Sequence, residues 1–167
     1  MNDFVRVDPP RVADEKASLT GFLDFQRETL AMKCAGLTDE QLATASVPPS
    51  ELTLLGLVRH LADVERHWFQ RVMGSERPRG YWHRPGREYA GFAVEDADAA
   101  TAFAVWSSAC SLSRDITAAS ASLDDLGTYR GESFSLRFVL THMIEEYARH
   151  NGHADFLRER IDGATGE

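Results

Sequence analysis

The sequence predicts an all-α protein, a four-helix bundle with long crossover connections. Three observations predict it: four long stretches space their apolar residues at three and four positions, capping residues stand at their ends, and no stretch sustains the alternation of a half-buried strand. With 167 residues and 43% hydrophobic content the chain can bury one good core, so a single domain over 1–167 is expected.

Pro9 and Pro10 end an extended lead, and Val12 to Ala35 then reads as a helix with Leu19, Phe22, Leu23, Leu30 and Cys34 on its apolar side and Gly36 as its stop. Thr38 and Gln41 are spaced as a capping box, which predicts a short helix over Asp39 to Thr44 that Pro48-Pro49 breaks. Ser50 or Thr53 can cap the next helix, which runs to about Met73 on Leu54, Leu57, Val58, Leu61, Val64, Trp68, Phe69 and Val72. From Gly74 to about Glu95 the chain is rich in Gly, Pro, Arg and aromatics without a period, and reads as a long structured loop, the place to seek substrate contacts. A helix over Ala97 to Ala119 and a polar connection, SLDDLGTYRGESF, lead to the last helix, Ser135 to Asp162, which Gly163 terminates.

The formal charge of −8 and the absence of any basic run argue against nucleic acid as a partner. Arg77, Arg79, Arg84 and Arg87 share the long loop and can meet a small anion, although a solvated loop is the plainer reading. No stretch approaches the ~20 apolar residues of a membrane span, and the first residues lack the pattern of a signal peptide, so a cytoplasmic protein with no membrane partner is expected. The two cysteines, Cys34 and Cys110, make neither a disulfide framework nor a zinc pattern and read as core thiols.

The chemistry lies in LTHMIEEYARHNGHADFLRERIDG. His142, Glu146, His150 and His153 fall within roughly 80° of one another on a helical wheel, one stripe holding three of the six histidines. The second helix offers His60 and His67, about 10 Å apart along the axis and too far for one metal to take both. His60 is mid-helix beside Leu57, Leu61 and Val64; His67 is nearer the loop and the weaker candidate. His60, Glu146 and His150 together make two imidazoles and a carboxylate, a set that serves open zinc sites and non-haem iron and leaves positions for water or substrate. Zinc is the first expectation, with Ni, Fe or Mn also suited to that set. His153 can replace His150 as ligand, transfer a proton beside the metal or support the helix, and a site-adjacent role is favoured. His142 is expected to support the site or pack in the core, and Glu145 to be a helix-surface charge. Trp68, Trp82, Trp106, Tyr81 and Tyr89 can line a pocket but read more simply as core or loop anchors.

GLVRHLADVERHWF together with EEYARHNGHADFLRE resembles the DinB-like superfamily of metal-binding helical bundles, most closely a branch known only as a domain of unknown function. The likeness extends over nearly the whole chain, including DEKASLTGFLDFQRETLAMKCAGLTDEQL and VPPSELTLLGLVRHL. It implies a bundle, often a homodimer, holding a divalent metal with His60 from the second helix and a pair one turn apart on the last, Glu146 and His150. Glu146 stands where many relatives carry histidine, and the mycothiol-dependent maleylpyruvate isomerase branch is similar in placing a carboxylate there. The resemblance further implies a transferase or isomerase acting on a small molecule through a metal-activated low-molecular-weight thiol such as mycothiol. The competing expectation is a metal-binding stress or interaction protein without turnover.

Overall fold

The computed structural model describes residues 6–74, 76, 78–82, 90–94 and 97–166. Helix α1 covers Glu15–Cys34, its first turn capped by Asp14, whose carboxylate accepts the Ala17 N–H at 2.7 Å. Helix α2, Asp39–Leu42, carries the expected capping box: Gln41 Oε1 accepts from the Thr38 N–H at 2.9 Å, and Thr38 Oγ1 accepts from the Gln41 N–H. Thr53 rather than Ser50 caps α3, Leu54–Glu65, by accepting the Gly56 N–H. Helix α4 is Ala99–Ala119, capped by Asp98, and α5 is Leu136–Asp162, capped by Ser135 and closed by Gly163 at φ 77°. Packing is most extensive between α1 and α5 and between α3 and α4, with α3 also against α5. Leu23, Leu30, Leu54, Leu57, Leu61, Phe69, Leu136, Leu140 and Met143 fill the space between them and are almost wholly shielded from water.

Two segments depart from expectation. The helix begun at Leu54 does not stay α-helical to its end: Arg66–Met73 winds as a π-helix, closed by the Gly74 N–H donating to the Phe69 carbonyl at 2.8 Å. No proline or glycine in RHWFQRVM marks that change. The polar connection after α4 is partly a β-hairpin, Leu126–Tyr129 (β1) antiparallel to Glu132–Ser135 (β2). It packs backbone to backbone on the end of the π segment, where a Cβ on Gly127 would lie 2.3 Å from the Val72 carbonyl oxygen. Ser135 ends the hairpin and caps α5 at once, so the hairpin fixes where the last helix starts.

One polar network ties all four long helices inside the core. Glu65 of α3 is 0% exposed and takes a two-pronged ion pair from Arg27 of α1, at 2.7 and 2.8 Å. The Tyr147 hydroxyl of α5 donates to the same carboxylate at 2.9 Å, and the Trp106 indole N–H of α4 donates to that hydroxyl at 2.8 Å. Burial pushes the Tyr147 phenol well above its ordinary value, so it remains a donor.

Candidate metal centre

His60 projects from the middle of α3, and Glu146 and His150 stand one turn apart on α5, where the two helices face each other. His60 Nε2 lies 3.0 Å and His150 Nε2 3.3 Å from one atom, Glu146 Oε1. The His60 and His150 rings meet edge to face with centroids 4.8 Å apart. The ligand atoms of all three lie within 4.8 Å of one another, the one His/Cys/Asp/Glu group of metal-site size among the described residues. Their side chains are 13%, 17% and 10% exposed, so the cluster is shielded yet reachable. Hydrogen bonding from His150 and then His60 outweighs burial and holds the Glu146 carboxyl well below the usual carboxylate range.

A divalent ion with ligand bonds near 2.1 Å separates neighbouring ligand atoms by about 3.0 Å at octahedral and about 3.4 Å at tetrahedral angles. The two imidazole-to-carboxylate separations, 3.0 and 3.3 Å, fall in that range. Two imidazole nitrogens converging on one ionised oxygen leave a place suited to a cation, and the donor set fits a borderline metal.

His153 is brought beside the cluster but not into it. Its Nδ1 lies 3.3 Å from His150 Nδ1, the ring nitrogen of His150 that faces away from Glu146. Burial first, then the neighbouring His150 and Arg149, lower its pKa. His142 packs against Trp68, with centroids 4.7 Å apart, and stacks on Phe138 at 3°. It packs among these rings and is not part of the cluster. His67 is edge-on to Trp68 and Tyr129 and takes no part in the cluster. Glu145 is a half-exposed surface charge paired with Arg149.

The described parts of the 74–95 loop lie against α3. Asp63, one turn after His60, accepts the Tyr81 N–H at 2.6 Å, and burial raises its carboxyl. The Arg59 guanidinium lies over Trp82 and that of Arg66 over Tyr81, at 4.7 and 4.0 Å from the ring centroids. Phe92, which the sequence did not single out, stacks on His60 with centroids 4.5 Å apart. It can do so because Gly91 brings the loop onto the helix backbone: a Cβ there would stand 3.2 Å from the His60 N and Cα. Nothing in the local sequence marks this beyond a glycine beside an aromatic. Trp106 belongs to the core network instead. Arg79 is exposed, and Arg77, Arg84, Arg87 and Tyr89 lie outside the described residues.

Both cysteines are buried, and burial pushes each thiol up to about 12, so neither is an activated nucleophile. No helix among the described residues is long and apolar enough to cross a membrane.

An all-α bundle with a His/His/Glu group between its second and last long helices is the arrangement that the resemblance to DinB-like bundles implies. A family model described as Mycothiol-S-transferase matches residues 18–163, and the chain belongs to that family. No curated protein and no solved structure matches the chain.

Proposed function

We propose that this chain is a metal-dependent S-transferase, joining the sulfur of mycothiol to an electrophilic carbon of a small molecule. The observation that carries the reading is the convergence of His60 and His150 on one Glu146 oxygen, in a chain of the mycothiol S-transferase family. A divalent metal held by His60, Glu146 and His150, zinc first and Ni, Fe or Mn otherwise, would supply a Lewis acid that lowers the pKa of the cofactor thiol. In the reaction the sulfur–carbon bond forms as the bond to the leaving group breaks. The leaving group takes that electron pair, and the thiol proton passes to water.

The chain's own residues hold this centre. Glu146 is ionised throughout the neutral range, which favours a cation over a pair of protons. For His150 to ligate through Nε2 its proton must sit on Nδ1, from which it donates to His153 Nδ1. His153 then carries its own proton on Nε2 and acts as a hydrogen-bond donor at the rim rather than as a base. Phe92 and the Gly91 turn fix the His60 ring from the other side. The buried thiols of Cys34 and Cys110 leave the nucleophile to the cofactor. A single domain, a homodimer and a cytoplasmic location belong to the same reading.

Mycothiol titrated calorimetrically into protein loaded with zinc, and into protein stripped of it, tests the proposal. Saturable binding that needs the metal, and conjugation of mycothiol to a model electrophile only by the loaded protein, are expected. Metal binding without thiol binding or turnover would favour a metal-binding protein of another role.

A further inference from the structure

The turn of the hairpin, Arg130-Gly131, links Tyr129 to Glu132, and both of its residues have positive φ, 53° and 87°. A two-residue turn of this kind favours Asn-Gly, because the first position demands the left-handed region that side chains disfavour. The chain places an arginine there against that preference, and strain of this sort gathers at functional positions.

The Arg130 guanidinium lies over the Tyr129 ring, 5.2 Å from its centroid, and that of Arg71, from the π segment, lies 4.8 Å from the same centroid. These three line, with Thr128 and Gly131, a pocket of about 300 Å³. His67 stands edge-on to the same ring, 4.9 Å between centroids. Among the described residues no carboxylate comes within ion-pair distance of either guanidinium, including Glu132 directly across the hairpin from Tyr129. Arg71 Nε is buried and has no hydrogen-bond acceptor. In a chain of formal charge −8, Tyr129 is the one ring among the described residues with two guanidinium groups over it.

We propose that this pocket is an oxyanion subsite, taking the carboxylate or phosphate group of a small molecule between Arg71 and Arg130. Guanidinium forks match both groups in geometry, and Thr128, which also lines the pocket, carries a hydroxyl that can donate. The subsite is separate from the metal centre, since Arg71 follows His60 by eleven residues, roughly 15 Å along the helix. Aromatic contacts bridge the interval: Trp68 touches His67 on one side and His142, one turn before Glu146, on the other.

The test is calorimetric titration of the full chain, stripped of metal, with inorganic phosphate and separately with succinate at fixed ionic strength. Working without metal keeps anions bound at the other centre from contributing, so a failed metal assignment leaves the result unaffected. Saturable one-site binding of at least one anion is expected, and the tighter one names the group. Arg130→Asn accepts positive φ and preserves the turn while deleting the charge; it and Arg71→Gln should each weaken binding roughly tenfold or more. A melting temperature for Arg130→Asn at or above that of the parent shows that the fold is kept. Absence of saturable binding by either anion, or undiminished affinity in Arg130→Asn, would overturn the proposal.

Discussion

Replacing Arg27 with methionine removes the cation from a carboxylate that has no route to water. Glu65 is 0% exposed and Arg27 4%, and the pair is joined by two charge-assisted hydrogen bonds. In the parent, burial works to raise the Glu65 carboxyl, but Arg27's charge and hydrogen bonds, with help from Ser113 and Tyr147, hold it below its ordinary value. Methionine preserves most of the side-chain volume, so the loss is electrostatic. Stranding one member of a buried pair costs about 3–5 kcal/mol. In a chain of this length that corresponds to a drop of roughly 6–20 °C in melting temperature. The pH dependence identifies the cause. A depressed folded pKa gives the parent a contribution present above the unfolded carboxylate value and lost as pH falls through the folded one. In Arg27→Met the folded pKa of Glu65 rises above the unfolded value, so its penalty is absent in acid and grows as pH rises. Urea denaturation of both proteins, at about pH 5 and about pH 7.5, should therefore show the gap widening toward neutrality. Adding Glu65→Gln, which keeps an acceptor for Tyr147 but no charge, should recover much of the loss. A gap below about 1 kcal/mol, or one unchanged by pH and by Glu65→Gln, would refute the argument.

Other consequences can be checked as directly. With thiols at about 12, roughly one in 10⁴ of Cys34 and Cys110 is thiolate at pH 8, so iodoacetamide should leave the folded protein unmodified and alkylate both residues in urea. Rapid loss of one thiol from the folded state would point to a protein nucleophile. Gly91→Val drives side-chain atoms onto the His60 backbone and lifts Phe92 from the imidazole; metal affinity measured against a chromophoric chelator should fall about 10- to 100-fold. Unchanged affinity would remove Phe92 and Gly91 from the centre.

The helices were legible because their signals are local. Thr38, Thr53, Ser135 and Gly163 each satisfy backbone groups within four residues, so the chain near them carries the whole instruction. The hairpin was not, because its strands are four residues each and its turn is Arg-Gly instead of Asn-Gly. The candidate metal group was partly legible: helical periodicity puts Glu146 and His150 on one stripe with His142 and His153, the mid-helix place of His60 favoured it over His67, and the resemblance narrowed the stripe to Glu146 and His150. The core network could not be assembled that way, for its members pair across 38 and 82 residues. One sign of it was present. Glu65 interrupts the stripe Val58, Leu61, Phe69 and Val72, and an acid on an apolar face needs a buried partner. Which partner is a question only the packing of α1 and α5 answers.

His60, Glu146 and His150 are proposed to hold one metal ion. Elemental analysis of the purified parent and of His150→Ala, with circular dichroism to establish that the variant is folded, tests it most directly. One divalent ion per chain is expected in the parent and a small fraction of that in the variant. Equal stoichiometric metal in both, or none in the parent after incubation with zinc, would contradict it.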